Sequence, residues 1–282
     1  MSWREDVIRM LTAMNHLAVV LSVLAAGGIA VAAEHPDVTA NGGPPIPEMH
    51  LTFESHFDSL VSPVTKQSVW MTTGATGSRT LGNNKEAEYY SDDSVGANPF
   101  SVRDGVLTIT ASPGTNPLGL PFNSGMLTTY RSFRQLYGYF EMRARLPAGT
   151  GLWPAFWLLP ADLSWPPEID VMEQLGSEPG TIYIGTHSTA GGPNVGTTTP
   201  VHVADTSDGF HVYGLDWEAA EITWYFDNRP LLAQPTPADM HKPMYLLINL
   251  AVGGPGSWPG PPSERTVFPA KFEVDYIRAY SR

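Results

Sequence analysis

The chain has 282 residues, a formal net charge of −12 and no cysteine. The acidic balance argues against a nucleic-acid partner, because phosphate binding requires a basic surface, and the lack of cysteine excludes disulfides and thiolate chemistry. The 27 glycines and 26 prolines occur together with 11 Tyr, 11 Phe and 8 Trp, which favours many short strands joined by turns over disorder.

The N-terminal segment has the layout of a secretory signal. Residues 17–27 (LAVVLSVLAAG) form a short apolar run after Arg4 and Arg9, and AVAAEHP (30–36) supplies the small residues of a cleavage site. This pattern predicts a signal peptide over 1–33 and a secreted protein, extracellular or periplasmic. An uncleaved membrane anchor is the alternative, although the run is short for a transmembrane span.

A linker and one domain are predicted to follow. Residues 34–49 are rich in Pro and Gly and show no periodicity, as is typical of a linker. The folded domain is predicted to span 50–282, a length that all-β sandwiches reach as single units.

Strand periodicity runs through this domain. Apolar and polar residues alternate in GVLTITAS (105–112), GYFEMRARLP (138–147), EITWYFDNRPLL (221–232) and FEVDYIRAY (272–280). MYLLINLAV (244–252) is almost continuously apolar and predicts a strand buried on both faces. Asp227 and Asn228 lie between two strand-like runs, which predicts a hairpin turn. We therefore predict an all-β fold, a jelly-roll β-sandwich of two large antiparallel sheets.

Three carboxylates are concentrated in EIDVME. On a regular strand Glu168 and Asp170 share a face, whereas Glu173 has the opposite parity and would point the other way. One extra residue in the strand, a β-bulge, would bring all three acids to one face.

With this bulge the carboxyl groups of Glu168 and Glu173 are expected about 5 Å apart, the separation of a nucleophile and a general acid in retaining glycosidases. Crowding raises the pKa of at least one acid, as a general acid requires. Asp170, between them, is placed to bond the nucleophile and share that proton.

The motif and its flanks resemble glycoside hydrolase family 16 in its bulged form, E-I-D-x-x-E. The resemblance extends over residues 124–160, 210–228 and 248–280, in the order and spacing of that family. It implies a jelly-roll with an open substrate cleft on the concave face, and endo-acting, retaining hydrolysis of a β-glycan. It also implies Glu168 as nucleophile, Asp170 as its assistant and Glu173 as acid/base.

Aromatic and polar residues near the motif are candidate sugar contacts. Flat indole faces suit pyranose rings, so Trp153, Trp165 and Trp258 are predicted to line the cleft, with core packing as the alternative; Trp157 fits either role. The resemblance places His187, in IGTHS, near the acid/base. It also suggests polar contacts at the cleft rim from Asn84, in LGNNKEAEYY, and from Arg131.

The resemblance further suggests a structural Ca²⁺ on the convex face, with Asp275 and Glu54 as oxygen ligands. Catalysis by two carboxyl groups requires no cofactor. The expected partner is a polysaccharide, no protein partner is implied, and a monomer is predicted.

The substrate stays open at this stage. The bulged motif and INLAVGGPGSWPG (248–260) resemble laminarinase-type members, whereas LGNNKEAEYY and WPPEID resemble bacterial endo-β-1,3-1,4-glycanases that act on exopolysaccharides. Transglycosylation and a galactanase (agarase-like) activity are alternatives within the fold. The non-enzymatic alternative is a carbohydrate-binding sandwich without catalysis. Serine hydrolase, zincin and P-loop motifs are absent from the sequence.

Overall fold

The computed structural model describes residues 43–57, 68–193 and 195–282. The predicted signal peptide and most of the predicted linker lie outside these residues. Helical structure in the described ranges consists of four single turns of 3-10 helix. In those ranges no helix has the length and apolar character needed to cross a membrane.

The described residues form sixteen strands. In chain order these are β1 (His50–Ser55), β2 (Glu88–Tyr90), β3 (Phe100–Arg103), β4 (Val106–Pro113), β5 (Phe122–Ser124), β6 (Met126–Thr128), β7 (Gly138–Arg145), β8 (Leu152–Pro160), β9 (Glu168–Glu173), β10 (Thr181–Ser188), β11 (Val195–His202), β12 (His211–Trp217), β13 (Glu221–Phe226), β14 (Arg229–Pro235), β15 (Met244–Val252) and β16 (Ala270–Ser281). All five segments in which strands were predicted are strands.

The strands pair into two sheets, as predicted for a jelly-roll sandwich. The larger sheet has ten strands in the order β14-β13-β12-β7-β16-β4-β5-β2, with β1 beside β16 and β3 beside β4. The smaller sheet has six strands in the order β11-β10-β9-β8-β15-β6. Pairing is antiparallel throughout the named strands, except that the short strands β2 and β5 run parallel.

The main core lies between the two sheets. Inward-facing residues of β7, β16 and β12 pack there against inward-facing residues of β8, β9, β10 and β15, and most are fully buried. Every residue of β15 is buried, which confirms the prediction from its apolar sequence. A second, smaller apolar cluster, which includes Trp157, Tyr245 and Tyr90, covers the opposite face of β8 and β15. Both faces of these two central strands are therefore packed.

The turn between β13 and β14 confirms the hairpin prediction. Phe226 pairs with Arg229, so that Asp227 and Asn228 form a two-residue loop. Both loop residues have positive φ, +47° and +64°. This is the backbone that the tightest hairpin turns require, and Asn and Asp adopt it more readily than most residues.

Candidate active site

Strand β9 contains the predicted bulge, and Val171 is the extra residue. On one side of β9, the consecutive residues Phe156 and Trp157 of β8 pair with Met172 and Asp170, which leaves Val171 without a partner. On the other side, the register with β10 shifts over the same residues. One extra residue changes the parity of the strand, as the sequence required.

The bulge sorts the side chains of β9 between two environments. Ile169, Val171 and Met172 are at most 1% exposed and belong to the core between the sheets. Glu168 and Glu173 line a cleft of about 940 Å³ on the other face of the six-stranded sheet. The indole of Trp224 in β13 crosses the core and donates to the main-chain oxygen of Asp170, at 2.8 Å, which fixes the backbone beside the bulge.

Residues of five strands, of the segment before β2, and of the loops before β9 and after β15 line the cleft. They are Thr80, Leu81, Gly82, Asn83, Asn84, Glu86, Trp153, Ala155, Trp157, Leu159, Trp165, Glu168, Glu173, Tyr183, His187, Thr198, Asn249 and Trp258. The cleft is thus lined by both aromatic rings and carboxyl groups, a combination suited to a ligand with apolar faces and hydroxyl edges.

Glu168 is held by neighbours that favour its ionised form. The Trp165 indole donates to Glu168 Oε2 at 2.7 Å, and His187 Nε2 lies 3.9 Å from Oε1. Burial raises the pKa of Glu168, and His187, Trp165 and Asp170 oppose that rise. A carboxylate with these contacts is oriented toward the cleft and is available as a nucleophile.

Asp170 is the most deeply buried of the three acids. Its side chain is 3% exposed, and Oδ2 has no hydrogen-bond partner among the described residues. Burial, followed by the charges of Glu168 and Glu173, raises the pKa of Asp170 well above its usual range. A protonated Asp170 lies within hydrogen-bonding reach of Glu168 and satisfies Oδ2 by donating to it.

Glu173 has the properties of a general acid. Burial and the charge of Glu168 raise the pKa of Glu173 to about 8, against the opposing hydrogen bond from Trp153. That bond, from Nε1 of Trp153 to Oε1 of Glu173, is 3.0 Å long. Glu173 therefore keeps its proton at neutral pH and can release it near the pH at which it works.

The position expected for His187 is wrong in one respect. His187 lies within β10 and pairs with Glu168, whereas the residue opposite Glu173 is Tyr183. The imidazole is 3.6 Å from Oδ2 of Asp170, so it belongs beside the nucleophile and not beside the acid/base. The bulge lies between Asp170 and Glu173, so it determines which β10 residue is opposite Glu173 and leaves His187 opposite Glu168.

The tryptophans divide between the rim and the floor. Trp165 and Trp258 are 57% and 44% exposed at the rim, as befits aromatic platforms. Trp153 packs edge-to-face on Trp258, with ring centroids 5.5 Å apart. Trp157, for which either role was open, is 9% exposed and lines the floor while its indole donates to Asn249 at 2.8 Å.

The two polar rim residues have different fates. Asn84 lines the cleft from the exposed 3-10 turn Gly82–Asn84, as expected. Arg131 does not line it. It lies exposed in the turn after β6, which is closed by hydrogen bonds from the amides of Ser132 and Phe133 to the carbonyl of Thr129.

Glu54 and Asp275 do not fit a calcium site. Asp275 forms an ion pair with Arg143, and Glu54 pairs with His56 and with Arg278, whose Nε is 3.4 Å from Oε1. Guanidinium groups occupy the carboxylates that the cation would need.

Within the described ranges, one set of three acidic or histidine side chains has ligand atoms within 4.8 Å of one another: Glu168, Asp170 and His187. These are the groups of the active site itself. Glu54 and Asp275 belong to no such set, and calcium at these residues stays a prediction.

Among the cleft residues that sequence reasoning missed, three bear directly on the site: Tyr183, Asn249 and Glu86. Tyr183 faces Glu173 and packs on Trp258 with centroids 4.7 Å apart; its parity with His187 on β10 was a usable signal. Asn249 and Glu86 reach the cleft through the buried network described below. Their burial gives no signal in the sequence, because it depends on which loops cover the sheet.

The chain matches the family model of glycosyl hydrolases family 16 over residues 86–278. Endo-1,3-1,4-beta-glycanase EglC of Rhizobium meliloti (strain 1021) is 49% identical over 211 residues, which are 72% of this chain and 44% of that relative. Endo-1,3-1,4-beta-glycanase ExsH of the same organism is 45% identical over 242 residues, 82% of this chain and 51% of the relative. The chain thus spans about half the length of these two curated relatives.

The laminarinase catalytic domain of Thermotoga maritima MSB8 has the same fold, with a TM-score of 0.72 at 30% identity over 83% of this chain and 98% of that domain. The family match covers the bulged strand, both glutamates and the whole floor of the cleft. The chain belongs to glycosyl hydrolases family 16.

Proposed function

We propose that this domain is a retaining, endo-acting glycoside hydrolase that cleaves internal β-1,3 or mixed β-1,3/1,4 bonds of a glucan or a bacterial exopolysaccharide. The observation that carries the proposal is the bulge at Val171, which brings Glu168, Asp170 and Glu173 to one face in an open cleft. The names of EglC and ExsH, both endo-1,3-1,4-beta-glycanases, support the mixed linkage.

The mechanism follows from the protonation of the three acids. Glu173 donates its proton to the glycosidic oxygen while the Glu168 carboxylate attacks the anomeric carbon, so that the C–O bond breaks and a glycosyl ester forms. Water then attacks the same carbon, Glu173 takes its proton, and Glu168 leaves as a carboxylate. Asp170 donates to Glu168 and holds it in line. These steps use no cofactor.

A product profile tests the proposal. The domain is incubated with laminarin, barley mixed-linkage glucan, agarose and an acidic bacterial exopolysaccharide, and the oligosaccharides are separated. We expect a series of oligosaccharides from barley glucan and little from agarose. Products longer than the substrate fragments would indicate transglycosylation.

Glu168→Gln and Glu173→Gln serve as controls for the chemistry. Each should lower turnover of the unactivated polysaccharide by about a thousandfold or more while polysaccharide binding persists. Binding by the unaltered protein without any hydrolysis would favour the alternative, a carbohydrate-binding sandwich. Near-normal turnover by Glu173→Gln would contradict its role as acid/base.

We also infer that the protein is exported. The support is the apolar run at 17–27 and the small residues at 30–36, which predict a mature chain beginning near Ala33 or Glu34. N-terminal sequencing of exported protein checks this. A chain that still contained Met1–Ala32 would favour a membrane anchor.

A further inference from the structure

A second pair of acidic side chains lies at the wall of the cleft, away from the catalytic acids. Glu86 lines the cleft and is 7% exposed, whereas Glu88, two residues later in β2, is fully buried. The proposed reaction uses neither. Two carboxyl groups so deeply buried side by side cannot both be ionised cheaply, because desolvation and mutual repulsion act together.

Glu86 accepts every hydrogen bond that it makes with a described residue outside this pair. Oε2 accepts from the amide of Leu81 at 2.9 Å and from the hydroxyl of Tyr90 at 3.0 Å. Oε1 accepts from the side-chain amide of Asn84 at 3.3 Å. Burial raises the pKa of Glu86, and these three donors, together with Glu88, oppose that rise by favouring the ionised form.

Glu88 has the opposite surroundings. Oε2 accepts from the amide of Val252 at 2.7 Å, but Oε1 is buried and has no partner of its own among the described residues. The two carboxyl groups lie within hydrogen-bonding reach of each other. Burial, and then the charge of Glu86, raises the pKa of Glu88 well above its usual range. A proton on Oε1 removes the second buried charge. It also gives Oε1 a hydrogen bond, because Glu88 can then donate to Glu86.

We propose that Glu88 is a positioning residue whose buried carboxylic acid donates a hydrogen bond to Glu86, and that Glu86 thereby holds the Gly82–Asn84 turn in place as a wall of the substrate cleft. The wall includes Asn84, which is exposed to the cleft and bonded to Glu86. The consequence for substrate binding rests on the proposed function, whereas the state of the acid pair does not.

A chain of hydrogen bonds connects the acid pair Glu86 and Glu88 to the floor of the cleft. The Tyr90 hydroxyl, which donates to Glu86, accepts from Asn249 at 3.0 Å. Asn249 in turn accepts from the indole of Trp157 at 2.8 Å. Glu86 is thus the terminal acceptor of a chain of hydrogen bonds that orients two floor residues, in a buried setting where such bonds are strong.

Among the described residues, no basic side chain forms an ion pair with Glu86 or Glu88. Glu86 and Tyr90 are the titratable groups that act on Glu88. Lys85 is exposed and its ammonium lies toward Gly256, and in the described ranges it forms no ion pair with either acid. Arg79 nearby forms an ion pair with Asp92. The proton on Glu88 is therefore the remaining means of neutralising the pair.

Two isosteric variants distinguish a proton on Glu88 from a proton on Glu86. In Glu88→Gln the amide NH₂ replaces the acid O–H as donor, so kcat and KM on barley mixed-linkage glucan at pH 6 should stay within about twofold of wild type. In Glu86→Gln one acceptor oxygen becomes an NH₂ donor, which then faces either the Asn84 amide or the two donors Leu81 and Tyr90. We expect KM to rise about tenfold while kcat changes less than about threefold.

A stability measurement tests the proton without using substrate. A carboxyl whose pKa is raised by folding binds a proton on folding, so its contribution to stability falls as the pH rises from 4.5, the ordinary value for Glu, toward the pKa in the folded protein. Glutamine does not titrate. The midpoint of thermal unfolding of Glu88→Gln, relative to wild type, should therefore increase with pH by about 3 °C per pH unit above pH 4.5.

Each outcome decides the proposal. A tolerated Glu88→Gln, an impaired Glu86→Gln and a widening difference in unfolding midpoint support it. A pH-independent difference in midpoint would overturn it, because Glu88 would then be ionised in the folded protein. An impaired Glu88→Gln together with a normal Glu86→Gln would place the proton on Glu86 and overturn it also. If the domain hydrolyses no glucan, the proposed function fails, and the unfolding series still tests the acid pair.

Discussion

Val171 and Met172 are consecutive in β9, yet both side chains are buried in the core between the two sheets. Regular alternation would send one of them to the cleft face. Because the bulge places both in the core, Glu173 reaches the same face as Glu168 and Asp170. The one extra residue thus has two consequences: Val171 and Met172 are both in the core, and the three acids share the opposite face.

Deletion of Val171 should therefore be tolerated better than an insertion at the same place. The deletion gives E-I-D-M-E, in which plain alternation returns the second glutamate to the cleft face. We expect measurable hydrolysis of barley glucan, reduced by about tenfold to a hundredfold, because the carboxyl groups shift by a fraction of a residue. Initial rates and thermal unfolding midpoints are the measurements.

The matched control inserts one alanine after Val171. Glu173 would then face the core, where burial of its carboxyl costs several kcal/mol unless it is protonated or paired. Activity should be lost and the unfolding midpoint lowered. Equal activity of the deletion and the insertion would show that parity does not govern this site.

Periodicity and turn chemistry were sufficient to predict most of the fold. The alternation in β7, β13 and β16 and the turn at Asp227–Asn228 are local signals, and the structure has them as predicted. The bulge was predictable because a carboxyl group is costly to bury. Regular alternation would point Glu173 into the core, whereas one extra residue in the strand returns it to the cleft face.

Relations between strands could not be predicted in the same way. His187 lies opposite Glu168 because of the register between β9 and β10, which no residue of β10 specifies alone. Arg131 was expected at the cleft rim from the resemblance to the family, yet in the turn after β6 it is exposed to solvent. From the sequence alone, Glu86 and Glu88 would be expected at the surface, as most glutamates are. Their burial depends on Val252 and the covering segment around Leu81.

The alkaline limit of activity should depend on Trp153. Glu173, with a pKa of about 8, must be protonated to act as the acid, so kcat/KM should fall as the pH rises through that value. Trp153→Phe removes the hydrogen bond that favours the carboxylate and so raises the pKa of Glu173. The alkaline limb of the pH–rate profile should move up by about one unit.

Trp258→Phe is the control for this shift. Its ring packs against Trp153, but among the described residues its indole makes no hydrogen bond to a catalytic acid. It should change KM and leave the alkaline limb in place. Identical limbs for Trp153→Phe and wild type would contradict the contact as a determinant of the pKa.

The acid limb of the pH–rate profile should depend on Trp165, as the alkaline limb depends on Trp153. Its indole donates to Glu168 at 2.7 Å and favours the ionised nucleophile. Trp165→Phe keeps an aromatic face but loses this donor, so the pKa of Glu168 rises and the acid limb moves to higher pH. Since Trp165 is 57% exposed, solvent screens the effect, and we expect a shift below about one unit.

Trp165→Ala separates the hydrogen bond from the stacking surface. It should show the same shift of the acid limb and, in addition, a higher KM, because the platform itself is removed. An acid limb that did not move in either variant would show that the indole acts through stacking alone.

The stereochemical course of hydrolysis is the most direct consequence of the bulge. Glu168 and Glu173 lie on one face of β9 with Asp170 between them, and the charge of Glu168 raises the pKa of Glu173. Retaining enzymes have carboxyl groups about 5 Å apart, which leaves no room for a water molecule between acid and sugar. We expect that separation here, with Glu168 attacking the sugar and the anomeric configuration retained. Proton NMR of the first product from barley glucan should show the β-anomer before mutarotation. An initial α-anomer would require a gap of about 6.5–9.5 Å that holds a water, and Glu168 could then not be the nucleophile.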